Sequence, residues 1–83
     1  MKNQLPPLSV VAHNLKPGIY QHYKGDFYEV FFVARYSEDP SQEFVVYQKI
    51  ETGDMWVRPI KMFCETVEVE GYSQSRFKFV ESI

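Results

Sequence analysis

After Lys16-Pro17-Gly18 the chain alternates between short apolar runs and turn residues. Gly18 to Tyr23 reads as a first strand, closed by Lys24-Gly25-Asp26, a tight turn by composition. Phe27 to Tyr36 is the longest apolar run, rich in Phe, Tyr and Val, and reads as a central strand. Ser37 to Gln42 reads as a polar loop, because Pro40 supplies no N–H to a ladder. Phe44 to Ile50 and Met55 to Arg58 form a hairpin about Thr52-Gly53-Asp54, and Pro59 stops the second arm. Ile60 to Phe63 is too short for a full helix and fits one 3-10 turn. Thr66 to Glu70 and Arg76 to Val80 are the last strand candidates, joined through a Gly71 to Ser75 loop. This spacing predicts an all-β domain, a small barrel of about five strands. Closure hides the apolar face and the edges, for which no long helix is on hand.

Residues 1–16 differ from the rest. Pro6-Pro7 stiffens them, and Leu8, Val11, Ala12 and Leu15 recur at helical spacing. They predict either an ordered extension laid over one barrel mouth or a short helix of about two turns, weakened by Val10 and Val11. The barrel then spans 17–83.

Period two does not choose a face for Phe27 to Tyr36, since both carry large apolar groups. A bulge near Phe31-Phe32 turns Val30 and Val33 to the same side. The expected core is Ile19, Val30, Val33, Val46, Val57, Met62, Phe63 and Val67.

Composition narrows the function classes. Seven Phe and six Tyr suit a core of rings between strands. A net charge of −2 argues against a non-specific nucleic-acid coat. The single cysteine, Cys64, excludes an internal disulfide and a cysteine-based zinc cluster, and reads as packed rather than reactive. Two histidines and scattered carboxylates lack metal-ligand spacing, and no phosphate-loop motif occurs. No cofactor is expected. No apolar run is long enough for a membrane span and no signal peptide opens the chain. The expected compartment is the cytoplasm.

The motif string runs Gly18-Ile19-Tyr20-Gln21-His22-Tyr23-Lys24-Gly25, Tyr28-Glu29-Val30, Ala34-Arg35, Val46-Tyr47, Trp56-Val57-Arg58-Pro59, Met62-Phe63 and Arg76-Phe77. It resembles a small bacterial family of unknown function, domain of unknown function 1653, over residues 17–80. The resemblance implies an SH3-like barrel and candidate positions, and no reaction. The chain departs from the family pattern at Gln21, at Tyr36 and at Asp39-Pro40.

Six residues are candidates for a ligand site. Arg35 and Arg58 sit in otherwise apolar strand sequence, where a guanidinium must be paired or reach solvent across rings. With Tyr20, Tyr47 and Trp56 they can line a concave face that grips an anion or a planar group. His22 joins the list because an imidazole titrates near neutrality. The favoured reading is a non-catalytic binding module for a peptide, nucleotide or small anion. One alternative is an enzyme or accessory with His22 as acid or base. Another is a module stacking single-stranded nucleic acid on Tyr and Trp. Pairing of an exposed edge strand such as Phe44 to Lys49 with a copy of itself is a further expectation.

Overall fold

The computed structural model describes residues 5–83; residues 1–4 of the expected extension lie outside the described residues. The elements are α1 (Val10–Asn14), β1 (Gly18–His22), β2 (Phe27–Tyr36), β3 (Asp39–Lys49), β4 (Met55–Pro59), α2 (Ile60–Phe63), β5 (Thr66–Val69), β6 (Tyr72–Ser75) and β7 (Phe77–Glu81). The domain is mainly β. Five antiparallel strands form one sheet in the order β4-β3-β2-β1-β7, and β5-β6 form a separate hairpin.

The sheet curls hard. On a flat sheet β3 and β7, three ladders apart, would lie about 14 Å from each other. The rings of Tyr47 on β3 and Phe77 on β7 instead have centroids 5.5 Å apart. Arg58 on β4, one strand further away, holds its guanidinium 5.8 Å from the Phe77 centroid. Among the described residues no ladder joins β4 to β7, so the ring of hydrogen bonds expected of a barrel is incomplete. Side chains bridge the opening instead.

Rings make that bridge. Phe63, delivered by α2, stacks on Phe77 at 4.1 Å with planes 5° apart. Tyr47 meets both edge-on, at 5.3 Å and 5.5 Å. Tyr20 adds its edge to Phe63, and Tyr28 to Phe77. Such pairs contribute about 0.5–1.5 kcal/mol each beyond burial. Ala12, Val30, Val45 and Ile60 complete the buried set.

The expected bulge is present: the β2–β3 register shifts between Val30 and Phe32, leaving Phe32 on the outside. Val30 and Phe63 are buried as expected, and Val33 packs against them half-buried. Other expected core positions are not. On β3 the inward residues are Val45 and Tyr47 rather than Val46. Tyr47 can be buried because its hydroxyl accepts a bond from Arg58 Nε at 3.2 Å. Val57, 63% exposed, faces outward from the edge strand β4. Ile19 and Val67 are only half-buried. On α2, Ile60 and Phe63 share the inner side, which turns Met62 out.

Four further expectations are corrected. Ser37 to Gln42 is not all loop, since β3 begins at Asp39. Tyr36 pairs with Asp39 and Arg35 with Glu43, so residues 40–42 bulge out of the ladder and Pro40 is asked for no N–H. Ile60–Phe63 is a single α-helical turn, with Cys64 N–H donating to the Ile60 carbonyl at 3.0 Å. Tyr72–Ser75 is strand rather than loop, because Glu70 and Gly71, both at positive φ, make a tight hairpin turn. Phe44 to Lys49 is no edge; β2 and β4 flank it, and the edges are β4 and β7.

The N-terminal segment contains α1, five residues long, with the Ser9 hydroxyl capping the Ala12 N–H. Gly18 ends the connection. Its φ is +140°, and a Cβ there would lie 2.5 Å from the Glu81 carbonyl oxygen, so β1 approaches β7 this closely only with glycine.

Truncating the stacked ring tests this account. Phe63→Ala should cost about 3–5 kcal/mol in urea unfolding, whereas Met62→Ala, at a site 44% exposed, should cost well under half of that. Equal losses at the two positions would contradict a core centred on Phe63.

Candidate functional site

A concavity lies where the N-terminal segment crosses the far end of the β2–β3 hairpin. It encloses about 660 Å³. Pro6, Pro7, Ser9 and Val11 form one wall; Phe44, Pro59, Ile60 and Lys61 form the other, with Arg35 and Glu43 at the seam. Pro6-Pro7 keeps the crossing segment extended, because proline fixes its own φ and biases the preceding residue away from the helix. Ser9 then switches the chain into α1.

Two side chains hold that segment. Arg35 donates from Nη2 to the Pro6 carbonyl at 2.6 Å and from Nη1 to the Pro40 carbonyl at 3.1 Å. Glu43 accepts the Ser9 N–H at 2.8 Å and the Ser9 hydroxyl at 2.6 Å. Arg35 and Glu43 are register partners on adjacent strands, yet they form no ion pair with each other. Each uses its charge on the crossing chain. The two Ser9 bonds, hydroxyl first, hold the Glu43 carboxyl below its ordinary range, with Arg35 adding to the effect. The bulge is itself braced: the Asp39 carboxylate accepts from the Ser41 N–H, the Ser41 hydroxyl and the Gln42 amide. That brace presents the Pro40 carbonyl to Arg35.

The six expected site residues do not share one groove. Arg35 alone lies in it. Tyr20 is buried, its hydroxyl donating to the Lys16 carbonyl at 2.7 Å. Tyr47 is buried, and Arg58 is bonded to it while lying over Phe77. His22 packs its ring against Tyr23 and Phe77 at the other end of β1. Trp56 stands on edge strand β4, 51% exposed. His22, Tyr47 and Arg58 thus meet through the aromatic cluster, away from Arg35. A smaller, polar concavity of about 460 Å³ touches His22, with Gln21, Tyr23, Gln74, Ser75 and Lys78.

His22 is poorly placed as a general base. Its Nδ1 accepts the Lys24 N–H at 3.2 Å, which leaves the proton on Nε2. Burial, then Arg58, Arg76 and Lys24, lower its pKa from 6.5. The imidazole is therefore neutral at pH 7 with its lone pair engaged. Cys64 borders the groove as an exposed residue, but the covered part of it raises the thiol pKa, so the weakly nucleophilic neutral form dominates. Among the described residues no three His, Cys, Asp or Glu converge as metal ligands.

Sequence reasoning passed over Glu43 and Ser9. Glu43 carried no signal until its register opposite Arg35 was known. Ser9, after Pro6-Pro7 and before a short apolar run, had the form of a helix cap.

The match to known proteins follows the same boundary. The family model described as a protein of unknown function (DUF1653) matches residues 18–79. The chain belongs to this family. A crystal structure of a DUF1653 protein from Bordetella bronchiseptica is 32% identical, with a TM-score of 0.78 over 87% of this chain and 95% of that one. No curated protein matches the chain. The DUF1653 model begins at Gly18, so the groove wall made by Pro6, Pro7, Ser9 and Val11 precedes the matched region.

The Glu43 grip has a pH signature. Its pKa is depressed from 4.5 on folding, so its stabilisation is present above pH 4.5 and is lost as pH falls through the folded value. Acidification below pH 4.5 should therefore move the Ser9 amide resonance upfield as its bond to the carboxylate weakens. Glu43→Gln should remove that titration step and leave the resonances of β1 unchanged. A Ser9 amide indifferent to both would show that the grip does not form.

Proposed function

We propose that this DUF1653 protein is a non-catalytic binding module whose Arg35–Glu43 groove takes an extended, proline-containing peptide. One observation carries the reading: one wall of the groove is such a segment of its own chain, which Arg35 and Glu43 hold chiefly through main-chain groups. Arg35 donates to a peptide carbonyl, and Glu43 accepts from a peptide N–H and a hydroxyl. Neither contact requires a particular side chain beyond the hydroxyl. Pro40, Phe44 and Pro59 supply an apolar surface suited to proline rings. Extended proline-rich segments suit such grooves because little conformational freedom remains to be lost on docking.

The attachment in cis is light. Leu5, Leu8, Val10 and Val11 all remain exposed, and of this segment through α1 only Ala12 is buried. About 660 Å³ stays open beside the segment, within the range of ligand-holding clefts. The residues that hold the segment belong to the matched family region, while the segment lies before it. The crossing segment on this reading is a placeholder that a partner peptide displaces. Glu43 makes the groove a poor seat for phosphate, which disfavours a nucleotide or nucleic acid here. One unpaired cysteine is consistent with a cytoplasmic setting, which we include in the proposal.

Titration of the isotope-labelled full chain with a capped peptide of sequence Leu-Pro-Pro-Leu-Ser tests the idea. Amide resonances of Arg35, Phe44 and Lys61 should shift. Ser9→Ala weakens the cis contact by about 1 kcal/mol while leaving Arg35, Glu43 and Phe44 unchanged, so the same peptide should bind about fivefold more tightly. Arg35→Leu should lose the interaction. Absence of any shift at millimolar peptide in both the parent and Ser9→Ala proteins would end the proposal.

A further inference from the structure

The edge strand β4 carries its defences, Arg58 and Pro59, only at its end, and residues 55–57 have none. Among the described residues its outer side is paired with no other strand. Three consecutive apolar residues, Met55, Trp56 and Val57, are 54%, 51% and 63% exposed. Soluble proteins ordinarily guard such a strand with lysine, proline or a bulge. Here Asp54 precedes the run and Arg58 follows it.

The direction of the free backbone groups follows from the pairing with β3. Lys49 N–H donates to the Asp54 carbonyl, so residue 54 turns its carbonyl toward β3. By strand alternation residues 56 and 58 bond to β3 as well. Met55 and Val57 therefore point their N–H and carbonyl groups outward. Pro59 has no N–H to offer, which ends the usable edge.

We propose that β4 pairs antiparallel with β4 of a second copy of this chain, about a two-fold axis at Trp56. The segment is self-complementary in that register. Met55 lies opposite Val57 of the second copy, and each such pair exchanges both of its free main-chain bonds. Trp56 lies opposite Trp56 in the closely spaced, non-hydrogen-bonded position, where large side chains meet best. Asp54 lies opposite Arg58. Within one chain the Asp54 carboxylate has no bonded partner among the described residues, and the Arg58 guanidinium bonds only the Tyr47 hydroxyl. Asp54, Trp56 and Arg58 share one face by alternation, so the opposite charges meet on the same side of the new ladder. A register displaced by two residues loses the Asp54–Arg58 match and the central Trp56 pair together. The symmetry is that of an isologous dimer. This pairing does not involve Arg35 or Glu43 and stands apart from the peptide reading.

Sedimentation velocity on the full chain over a wide concentration range tests the proposal, with fluorescence of Trp56, the only tryptophan, as a second readout. The sedimentation coefficient should rise toward that of a dimer, and Trp56 emission should shift to the blue over the same concentrations. Met55→Lys with Val57→Lys sets like charges opposite each other and should leave a monomer. Met55→Lys with Val57→Glu sets opposite charges in the same places and should restore the dimer. Both changes fall on exposed side chains, and urea midpoints verify folding. As a milder variant, Asp54→Lys faces Arg58 of the second copy and should weaken association about fivefold. A parent protein that stays monomeric to millimolar concentration overturns the proposal. So does a dimer that survives the double lysine variant.

Discussion

The Phe63–Phe77 stack sets the shape of the molecule. A five-stranded sheet with no long helix has one apolar face to hide, and curling is the way this chain hides it. Curl needs something at its centre wide enough to keep the strands apart and apolar enough to hold them in. Two parallel rings at 4.1 Å, with the rings of Tyr20, Tyr28 and Tyr47 set edge-on around them, fill that space. The stack also explains why the hydrogen-bonded ring need not close. Phe63 arrives from α2, between β4 and β5 in the chain, and packs on Phe77 of β7, although no ladder joins β4 to β7 among the described residues. Once α2 is drawn inward, Pro59, Ile60 and Lys61 are brought to the wall of the groove that Arg35 and Glu43 border. The core thus determines where the groove can form.

Much of this was legible in the residues. The positions of β1, β2, β4, β5 and β7, the Val30–Phe32 bulge and the all-β class follow from alternation and turn chemistry. What failed has a common cause. Tyr20, Tyr47 and Arg58 looked like surface chemistry because they are polar, yet each has a polar atom that finds a partner close to the core. Tyr20 has the Lys16 carbonyl, and Tyr47 and Arg58 have each other. A tyrosine whose hydroxyl is satisfied behaves as a large apolar ring. Sequence alone does not show which hydroxyls will be satisfied, since the partner is fixed by register. Val46 and Val57 were misplaced for the complementary reason: burying Tyr47 turns both of their positions outward.

Arg35 was read correctly as a residue that must reach solvent or a partner. Its partner was out of view. The simplest expectation for Arg35 opposite Glu43 is a cross-strand ion pair, worth about 0.2–1 kcal/mol at a surface. Instead each binds the crossing segment, where charge-assisted bonds to peptide groups are about twice as strong as neutral ones. The unpaired arrangement leaves two charged groups ready for main-chain polar atoms, one donor and one acceptor, spaced along an extended chain. A direct Arg35–Glu43 pair would have consumed both.

Pro59 links the groove and the edge. On β4 it removes the donor that would prolong pairing past Arg58, and in the groove its ring forms part of the wall. A ladder centred on Trp56 therefore stops short of the groove, and a second copy would not cover it. Two copies joined at β4 would carry two grooves related by the same axis. A partner with repeated proline-containing segments could then engage both, and its second contact would form at the high effective concentration that linkage provides. On the peptide reading each groove must first shed its own chain, and weak grooves of that kind gain most from such a geometry.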